Sequence, residues 1–117
     1  MLNEEKLFLY DITDGILEIK LLGEIDHHSA VEVRSDIDEL IFLSRPHKTV
    51  LDLSQISFMD SSGLGLIMGR YSLMKELGGS LALRAPTQAV MKILSLAGME
   101  RIIKIEKSAK EKNDEKK

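Results

Sequence analysis

Apolar residues recur along the chain with two different periods, and the changes of period divide the sequence into elements. Two short apolar stretches, Phe8 to Asp11 and Ile16 to Leu22, are separated by Ile12-Thr13-Asp14-Gly15. Asp-Gly is a strong signal for a two-residue turn, because both positions of that turn need a positive φ. The two stretches are therefore predicted to pair as an antiparallel hairpin.

A first helix is predicted from about Ala30 to Leu43. Ser29, followed three residues later by Glu32, forms a capping-box pattern, and apolar residues then recur at helical spacing. Pro46 ends this helix. The next stretch, Thr49 to Leu53, is apolar and β-branched, which is typical of a buried strand at the centre of a sheet.

The second half of the chain continues the alternation of helix and strand. Its predicted elements are a second helix that follows Asp60-Ser61-Ser62 and ends at Gly78-Gly79, a strand from Ser80 to Ala85, a third helix from Pro86-Thr87 to Gly98, and a last strand from Ile102 to Ile105. This order predicts an α/β fold with a mostly parallel, five-stranded mixed sheet that opens with an antiparallel hairpin. Because three helices are few for five strands, we expect them mainly on one face.

Length and composition indicate one globular domain. The chain has 117 residues, 44% of them hydrophobic and 30% charged, which is enough apolar material for one core. Residues 1–106 are assigned to this domain. Residues 107–117 hold five Lys against three acidic residues and are predicted to be a solvated, disordered tail.

Charge and residue usage exclude several classes of function. The net charge is −3, and two Tyr, three Phe and no Trp offer no stacking platform, so nucleic acid is not an expected partner. No apolar run approaches the roughly 20 residues of a membrane span, and residues 1–6 do not resemble a signal peptide. The absence of Cys fits a reducing compartment. We therefore expect a cytoplasmic protein that is neither exported nor inserted into a membrane.

The segment from Phe58 to Gly65 is the main candidate for chemistry, because it follows a buried strand, and α/β folds keep their sites at such strand ends. The simplest structural interpretation is that Asp60 or Ser61 only caps the second helix. A serine hydrolase would need Gly-x-Ser-x-Gly, but Met59 stands two residues before Ser61. The hydrolase interpretation is therefore disfavoured.

Two further patterns have competing interpretations. Ser62, Gly65, Gly69 and Ser72 form a strip of small residues on the second helix, which serves either close internal packing or the approach of a partner's backbone. These glycines do not have the spacing of a dinucleotide-binding loop. Asp26-His27-His28 resembles a metal-binding triplet, but the further ligands are missing, so a polar loop is favoured. We expect neither a metal nor another cofactor.

Three segments together closely resemble the anti-sigma-factor antagonists of the STAS domain family: Gly23-Glu24-Ile25-Asp26-His27-His28, the stretch from Asp52 to Gly65, and Gly69-Arg70-Tyr71. The resemblance covers about residues 7 to 106 in order and spacing. The pairing of Asp-His-His with Gly-Arg-Tyr is most similar to the sporulation branch of the family, with the general-stress antagonists as close relatives.

The resemblance implies a non-enzymatic partner switch with a STAS fold. In this family the unmodified protein binds an anti-sigma factor that is also an ATP- and Mg²⁺-dependent serine kinase, and so frees the sigma factor. The kinase phosphorylates the first serine after the motif's Asp, here Ser61, and a PPM-type serine phosphatase restores the binding form. The positions matching the partner-binding surface are Asp26, Asp60, Ser62, Gly63 and Gly65.

Two other functions remain as alternatives. One is a STAS scaffold subunit of a transport or stress-signalling assembly, in which the serine motif is often degraded; the intact Asp60 and Ser61 argue against it. The other is a small hydrolase, which would lose ester turnover in the Ser61→Ala variant.

Overall fold

The computed structural model describes residues 6–108, which form a five-stranded sheet and three α-helices. In chain order the elements are β1 (Phe8–Thr13), β2 (Ile16–Ile25), α1 (His27–Ser44), β3 (Lys48–Met59), α2 (Ser61–Glu76), β4 (Ser80–Arg84), α3 (Gln88–Leu96), a 3₁₀ turn (Met99–Arg101) and β5 (Lys104–Glu106). The predicted alternation of strands and helices after an opening hairpin is confirmed.

The strands lie in the sheet in the order β1-β2-β3-β4-β5, so that β3 is central, as predicted. β1 and β2 pair antiparallel, and the other neighbours pair parallel. Thr13 pairs with Ile16 at the end of the hairpin, and the two turn residues have φ values of 54° at Asp14 and 77° at Gly15. Both turn positions are left-handed, which is the conformation that Asp-Gly favours.

One face of the sheet carries the hydrophobic core. Alternate residues of β2, β3 and β4 on this face are almost fully buried: Leu17, Ile19, Leu21, Leu51, Leu53, Leu81 and Leu83. They belong to one cluster with residues of all three helices, among them Val33, Ile37, Ile41, Leu66, Ile67, Met74, Val90 and Leu94. The helices therefore cover this face, as expected from their number.

The opposite face of the sheet is charged. Nη1 of Arg84 lies 3.2 Å from Oε2 of Glu18, and its Nη2 lies 3.5 Å from Oε1 of Glu106. Nζ of Lys48 lies 2.7 Å from Oε2 of Glu106. Val50 and Ala82 point to the same face and are buried although they do not belong to the core cluster. Long charged side chains thus cover small apolar residues with their aliphatic stems while their heads remain paired.

The predicted start of α1 is wrong by three residues. The N-cap is Asp26, whose carboxylate accepts from the N–H of Ser29 at 2.9 Å, while the Ser29 hydroxyl accepts from the N–H of Asp26 at 3.0 Å. Ser29 is therefore the second half of the capping box, and Glu32 has no part in it. His27 and His28 lie in the first helical turn and not in a polar loop.

Other boundaries differ at the strand ends. β2 and β3 continue to Ile25 and Met59, well beyond the predicted ends at Leu22 and Leu53, because the two strands keep pairing past a register shift. The last strand begins at Lys104, since Met99–Arg101 form a 3₁₀ turn. Of the predicted tail, the structure describes only Lys107 and Ser108; residues 109–117 lie outside the described part.

Candidate functional site

The starts of α1 and α2 lie side by side because they follow neighbouring parallel strands. Ile25, the last residue of β2, pairs with Met59, the last residue of β3. The N–H of Asp60 donates to the carbonyl oxygen of Ile25 at 3.2 Å, which ties the turn after β3 to the end of β2. Asp26 directly follows Ile25, and Asp60 directly follows Met59. The two aspartates therefore lie at the same end of the sheet, as the sequence-based site requires.

Asp60 is the N-cap of α2, as the simplest structural interpretation predicted. Its carboxylate accepts from the N–H of Ser62 at 2.8 Å, and its carbonyl oxygen accepts from the N–H of Gly63 at 3.0 Å. An N-cap residue satisfies amides at the helix start that have no partner within the helix. Asp60 is therefore held in place, and it fixes the direction in which the first turn of α2 leaves the sheet.

Ser61, the first residue of α2, is exposed. Its hydroxyl makes no hydrogen bond to any residue between 6 and 108. Ser62 is half-buried, and its N–H is already bonded to Asp60. Neither serine hydroxyl hydrogen-bonds to a residue between 6 and 108, and Ser61 is the more exposed of the two. Its oxygen stands at the helix N-terminus, where the helix dipole favours negative charge.

Asp26 is held more tightly than Asp60. The N–H of Ser29 lowers the pKa of the Asp26 carboxyl below its usual range, burial opposes this, and His28 adds to the lowering. Ser29 also donates its hydroxyl hydrogen to the carbonyl oxygen of Glu24 at 2.9 Å. The structure therefore presents Asp26 as an ionised carboxylate in a fixed orientation.

The glycines of α2 divide into two kinds. A Cβ at Gly63 would overlap Cγ and Sδ of the buried Met59, so this glycine is needed for packing. A Cβ at Gly65 or Gly69 would have no atom of the described residues within 4 Å outside its own helix turn. For Gly65 and Gly69 the internal-packing explanation of the small-residue strip is wrong, and their side of α2 is open.

An ion pair between a buried arginine and a half-buried aspartate holds α2 against α1. Arg70 is 6% exposed and donates from Nη1 to the carbonyl oxygen of Leu66 at 3.1 Å and from Nη2 to Oδ2 of Asp38 at 3.4 Å. Nε lies 2.8 Å from Oδ1 of Asp38, but the direction is unsuitable for a hydrogen bond. Burial lowers the pKa of the Arg70 guanidinium, and the charge of Asp38 opposes that effect. The pair fixes the two helices that begin at the site.

The described residues do not assemble a hydrolase centre around Ser61. None of the three histidines hydrogen-bonds to Ser61, and His47 lies by the Asp14-Gly15 turn at the other end of the sheet, where its N–H donates to the carbonyl oxygen of Gly15 at 2.9 Å. Between residues 6 and 108 no group of three or more His, Cys, Asp or Glu side chains is placed to hold a metal ion.

Two features of the site were not predicted from the sequence, the Asp26–Ser29 box and the Arg70–Asp38 pair. The first left an ambiguous signal, because Asp26 and Ser29 are both good N-cap residues and the sequence does not decide between them. The second had none, since Asp38 and Arg70 are far apart in the chain and only the packing of α1 on α2 brings them together.

None of the helices between residues 6 and 108 is long and apolar enough to cross a membrane.

Comparison with known proteins gives one consistent family. The model of the STAS domain matches residues 8–112. A curated protein of Paenibacillus polymyxa named anti-sigma F factor antagonist is 41% identical over 91 residues, which are 78% of either chain. The anti-sigma-B factor antagonist of Bacillus subtilis is 32% identical over 90 residues, covering 76% of this chain and 80% of that protein.

Solved structures agree with the sequence relatives. The anti-sigma factor antagonist SpoIIAA in its unphosphorylated form matches 93% of this chain and 94% of its own, with a TM-score of 0.78 and 28% identity. SpoIIAA of Bacillus in the phosphorylated form matches 94% of this chain and 99% of its own, with a TM-score of 0.70 and 28% identity. The fold found here is thus similar to both states of that protein.

Proposed function

Because the chain belongs to the STAS domain family, we propose that it is an anti-sigma factor antagonist whose binding is switched off by phosphorylation of Ser61. The unmodified chain binds an anti-sigma factor and so releases the sigma factor. The partner supplies ATP, Mg²⁺ and the kinase activity, and a PPM-type phosphatase restores the binding form. The chain itself acts in the cytoplasm as a binding protein, not as a catalyst.

The observation that carries the proposal is the free hydroxyl of Ser61. A kinase can transfer a phosphoryl group only to an oxygen that it can reach, and Ser61 is exposed with its hydroxyl bonded to no described residue. Two relatives in sequence are named as antagonists of anti-sigma factors, and SpoIIAA has been solved in both phosphorylation states. These names support the same function for this chain.

The fold is expected to tolerate a phosphate at Ser61. A phosphoserine carries about −1.5 to −2 charges at neutral pH, and a helix N-terminus favours an anion by about 0.3 to 1 kcal/mol. The amides of Ser62 and Gly63 are already bonded to Asp60, so the phosphate would not need to break the cap. We therefore expect modification to change the surface and not the fold.

The same phosphate would weaken binding through local charge. It would stand beside the Asp60 carboxylate, and an opposing carboxylate of a partner about 4 Å away would cost about 1 kcal/mol for each added charge even at the dielectric of water. Two charges then cost about 2 kcal/mol, or about thirtyfold in affinity, and more in a dry interface. No large conformational change is needed for such a switch.

The open side of α2 supports the position of the docking surface. A glycine inside a helix costs up to about 1 kcal/mol relative to alanine, and no internal contact compensates for Gly65 or Gly69. A partner that packs its backbone against this side would explain the missing Cβ atoms. Asp60, Ser61, Ser62 and the exposed side of α2 then form the binding surface, with Asp26 at its border as a charged contact.

The proposal is tested by displacement of the sigma factor. Purified anti-sigma factor in complex with its sigma factor is titrated with the unmodified chain, the phosphorylated chain and the Ser61→Asp variant. We expect the unmodified chain to release the sigma factor and the two acidic forms to need at least about tenfold higher concentrations. Equal potency of all three forms, or no release by the unmodified chain, would contradict the proposal.

A further inference from the structure

The two edges of the sheet are built differently. β5, at one edge, has three residues, of which Lys104 and Glu106 are charged. β1, at the other edge, has six residues with the sequence Phe-Leu-Tyr-Asp-Ile-Thr, without Lys or Pro. Proteins usually block an exposed strand edge with short length, charge, Pro or a bulge, because an open edge pairs readily with another strand. The β5 edge is short and doubly charged, whereas β1 is twice as long and carries one charged residue, Asp11.

The hydrogen-bond pattern of the hairpin shows which backbone groups of β1 are available. The N–H of Leu22 donates to the carbonyl oxygen of Leu7 at 2.9 Å, so the odd-numbered residues of this strand bond toward β2. In an antiparallel ladder such residues alternate with residues whose N–H and C=O point the other way. The backbone groups of Phe8, Tyr10 and Ile12 therefore point outward, and no strand of the described chain pairs with them.

The side chains of the same three residues form an apolar strip. Phe8, Tyr10 and Ile12 pair across the hairpin with Leu21, Ile19 and Leu17, which are core residues, so all three lie on the helix-covered face of the sheet. Tyr10 is 55% and Ile12 is 43% exposed, so the helices do not cover these side chains fully. Free backbone groups and exposed apolar side chains thus coincide on one edge.

We propose that β1 pairs antiparallel with β1 of a second copy of this chain, with the two-fold axis at Tyr10. In this register Tyr10 faces Tyr10 of the second copy, and Phe8 faces Ile12. The three outward residues then pair only with one another and can form six backbone hydrogen bonds across the axis. A two-fold axis at Asp11 would instead place two aspartates opposite each other.

Charge at the ends of the strand agrees with this register. The same two-fold axis brings Lys6 of one copy opposite Asp14 of the other, and Leu9 opposite Asp11. The paired strip is short and below the size of a stable interface, so the dimer is expected to be weak and concentration-dependent. Ser61 follows β3, two strands in from this edge, and stays exposed in the dimer. The inference is therefore independent of the proposed function.

The test is sedimentation equilibrium of the full chain from about 10 µM to about 1 mM, with two lysine variants. Tyr10→Lys places two like charges directly opposite each other on the axis and is expected to raise the dimer Kd at least about tenfold. Leu9→Lys is the matched control on the other face of the same strand. It places lysine opposite Asp11 of the second copy and is expected to leave the dimer intact or strengthen it.

A cysteine variant tests the register. The chain has no Cys, so an oxidised Tyr10→Cys variant can form a disulfide only between two copies. Directly paired residues have Cα atoms about 5.5 Å apart, which a disulfide can span, whereas two Leu9→Cys residues would be out of register and too far apart. Monomers throughout the concentration range, or a dimer unaffected by Tyr10→Lys, would overturn the proposal.

Discussion

The starts of α1 and α2 contain the same residue types, an aspartate and a serine, and differ in whether the serine hydroxyl is hydrogen-bonded. Both follow the end of a parallel strand, and both are capped by an aspartate, Asp26 in α1 and Asp60 in α2. At α1 the hydroxyl of Ser29 is bonded to the backbone of Asp26 and Glu24. At α2 the cap is completed by the backbone of Ser62, and the hydroxyl of Ser61 has no partner among residues 6–108.

The difference lies in spacing. A serine three residues after the cap reaches back to close the capping box, whereas a serine directly after the cap points away from it. In the first arrangement the hydroxyl is hydrogen-bonded within the helix cap and stabilises it. In the second arrangement the hydroxyl has no partner in the cap and can react with an enzyme that reaches it. Two neighbouring helix starts thus provide a structural serine and, in the proposed function, a regulatory one.

The largest loss of stability is expected at the ion pair that holds α1 and α2 together beyond their first turns. Asp38→Ala removes the partner of the buried Arg70 and should lower the free energy of unfolding by about 2 to 3 kcal/mol, less than for a fully buried pair because Asp38 is partly exposed. Asp36→Ala, an exposed carboxylate on the same helix, is the control and should change stability by less than about 0.5 kcal/mol. Urea unfolding measures both, and equal effects would show that the pair does not hold the helices.

The next prediction compares alanine substitutions at Gly63, which packs against Met59, and at Gly65, which lies on the open side of α2. Gly63→Ala forces Met59 to move and should cost about 1 to 3 kcal/mol. Gly65→Ala meets no neighbour and should stabilise the chain by up to about 1 kcal/mol, while weakening binding to the anti-sigma factor. Thermal unfolding and binding are measured on both variants. Unchanged binding of Gly65→Ala would remove the open side of α2 from the docking surface.

The two serines should respond in opposite ways to truncation. Ser29→Ala breaks the capping box of α1 and should cost about 1 kcal/mol of stability while leaving phosphorylation intact. Ser61→Ala should change stability by less than about 0.5 kcal/mol and abolish phosphorylation. If both variants lost stability equally, Ser61 would have a structural role that its free hydroxyl does not indicate.

The smallest effect is a pH dependence at α1. The folded-state pKa of Asp26 is lowered, so its ionised form stabilises the fold above its unfolded pKa near 4, and this contribution is lost as the pH falls through the folded pKa. Asp26→Asn keeps a cap but cannot ionise. The stability difference between the parent and this variant should therefore shrink from about pH 5 to about pH 3. A difference that stays constant over this range would contradict the assignment.

Local signals predicted most of the fold. Asp14-Gly15 identified its turn because few residues accept two positive φ values in succession, and this constraint is local to the dipeptide. The start of α1 was misplaced because Asp26 and Ser29 are both good capping residues, and the sequence alone does not indicate which of them begins the helix. The long ends of β2 and β3 were missed because the pairing of the two strands, and not the pattern of either one, extends them.

The position of the candidate site in the chain could be predicted from the sequence, but the contacts that shape its surface could not. The motif around Ser61 pointed to the loop after β3, where the structure places an exposed serine. Its geometry depends on contacts that join distant residues, such as the Asp60 amide bonded to Ile25 and Arg70 paired with Asp38. The charged face of the sheet is similar, because Glu18, Arg84 and Glu106 meet only through strand register.

The most direct test of the central claim is the position of the phosphate after the chain has been incubated with its anti-sigma factor, ATP and Mg²⁺. Peptide mass spectrometry distinguishes Ser61 from Ser29 and Ser62 in the same sample. The account predicts phosphate on Ser61 alone, and none in the Ser61→Ala variant. Phosphate on Ser29 or Ser62, or uptake that survives Ser61→Ala, would contradict it.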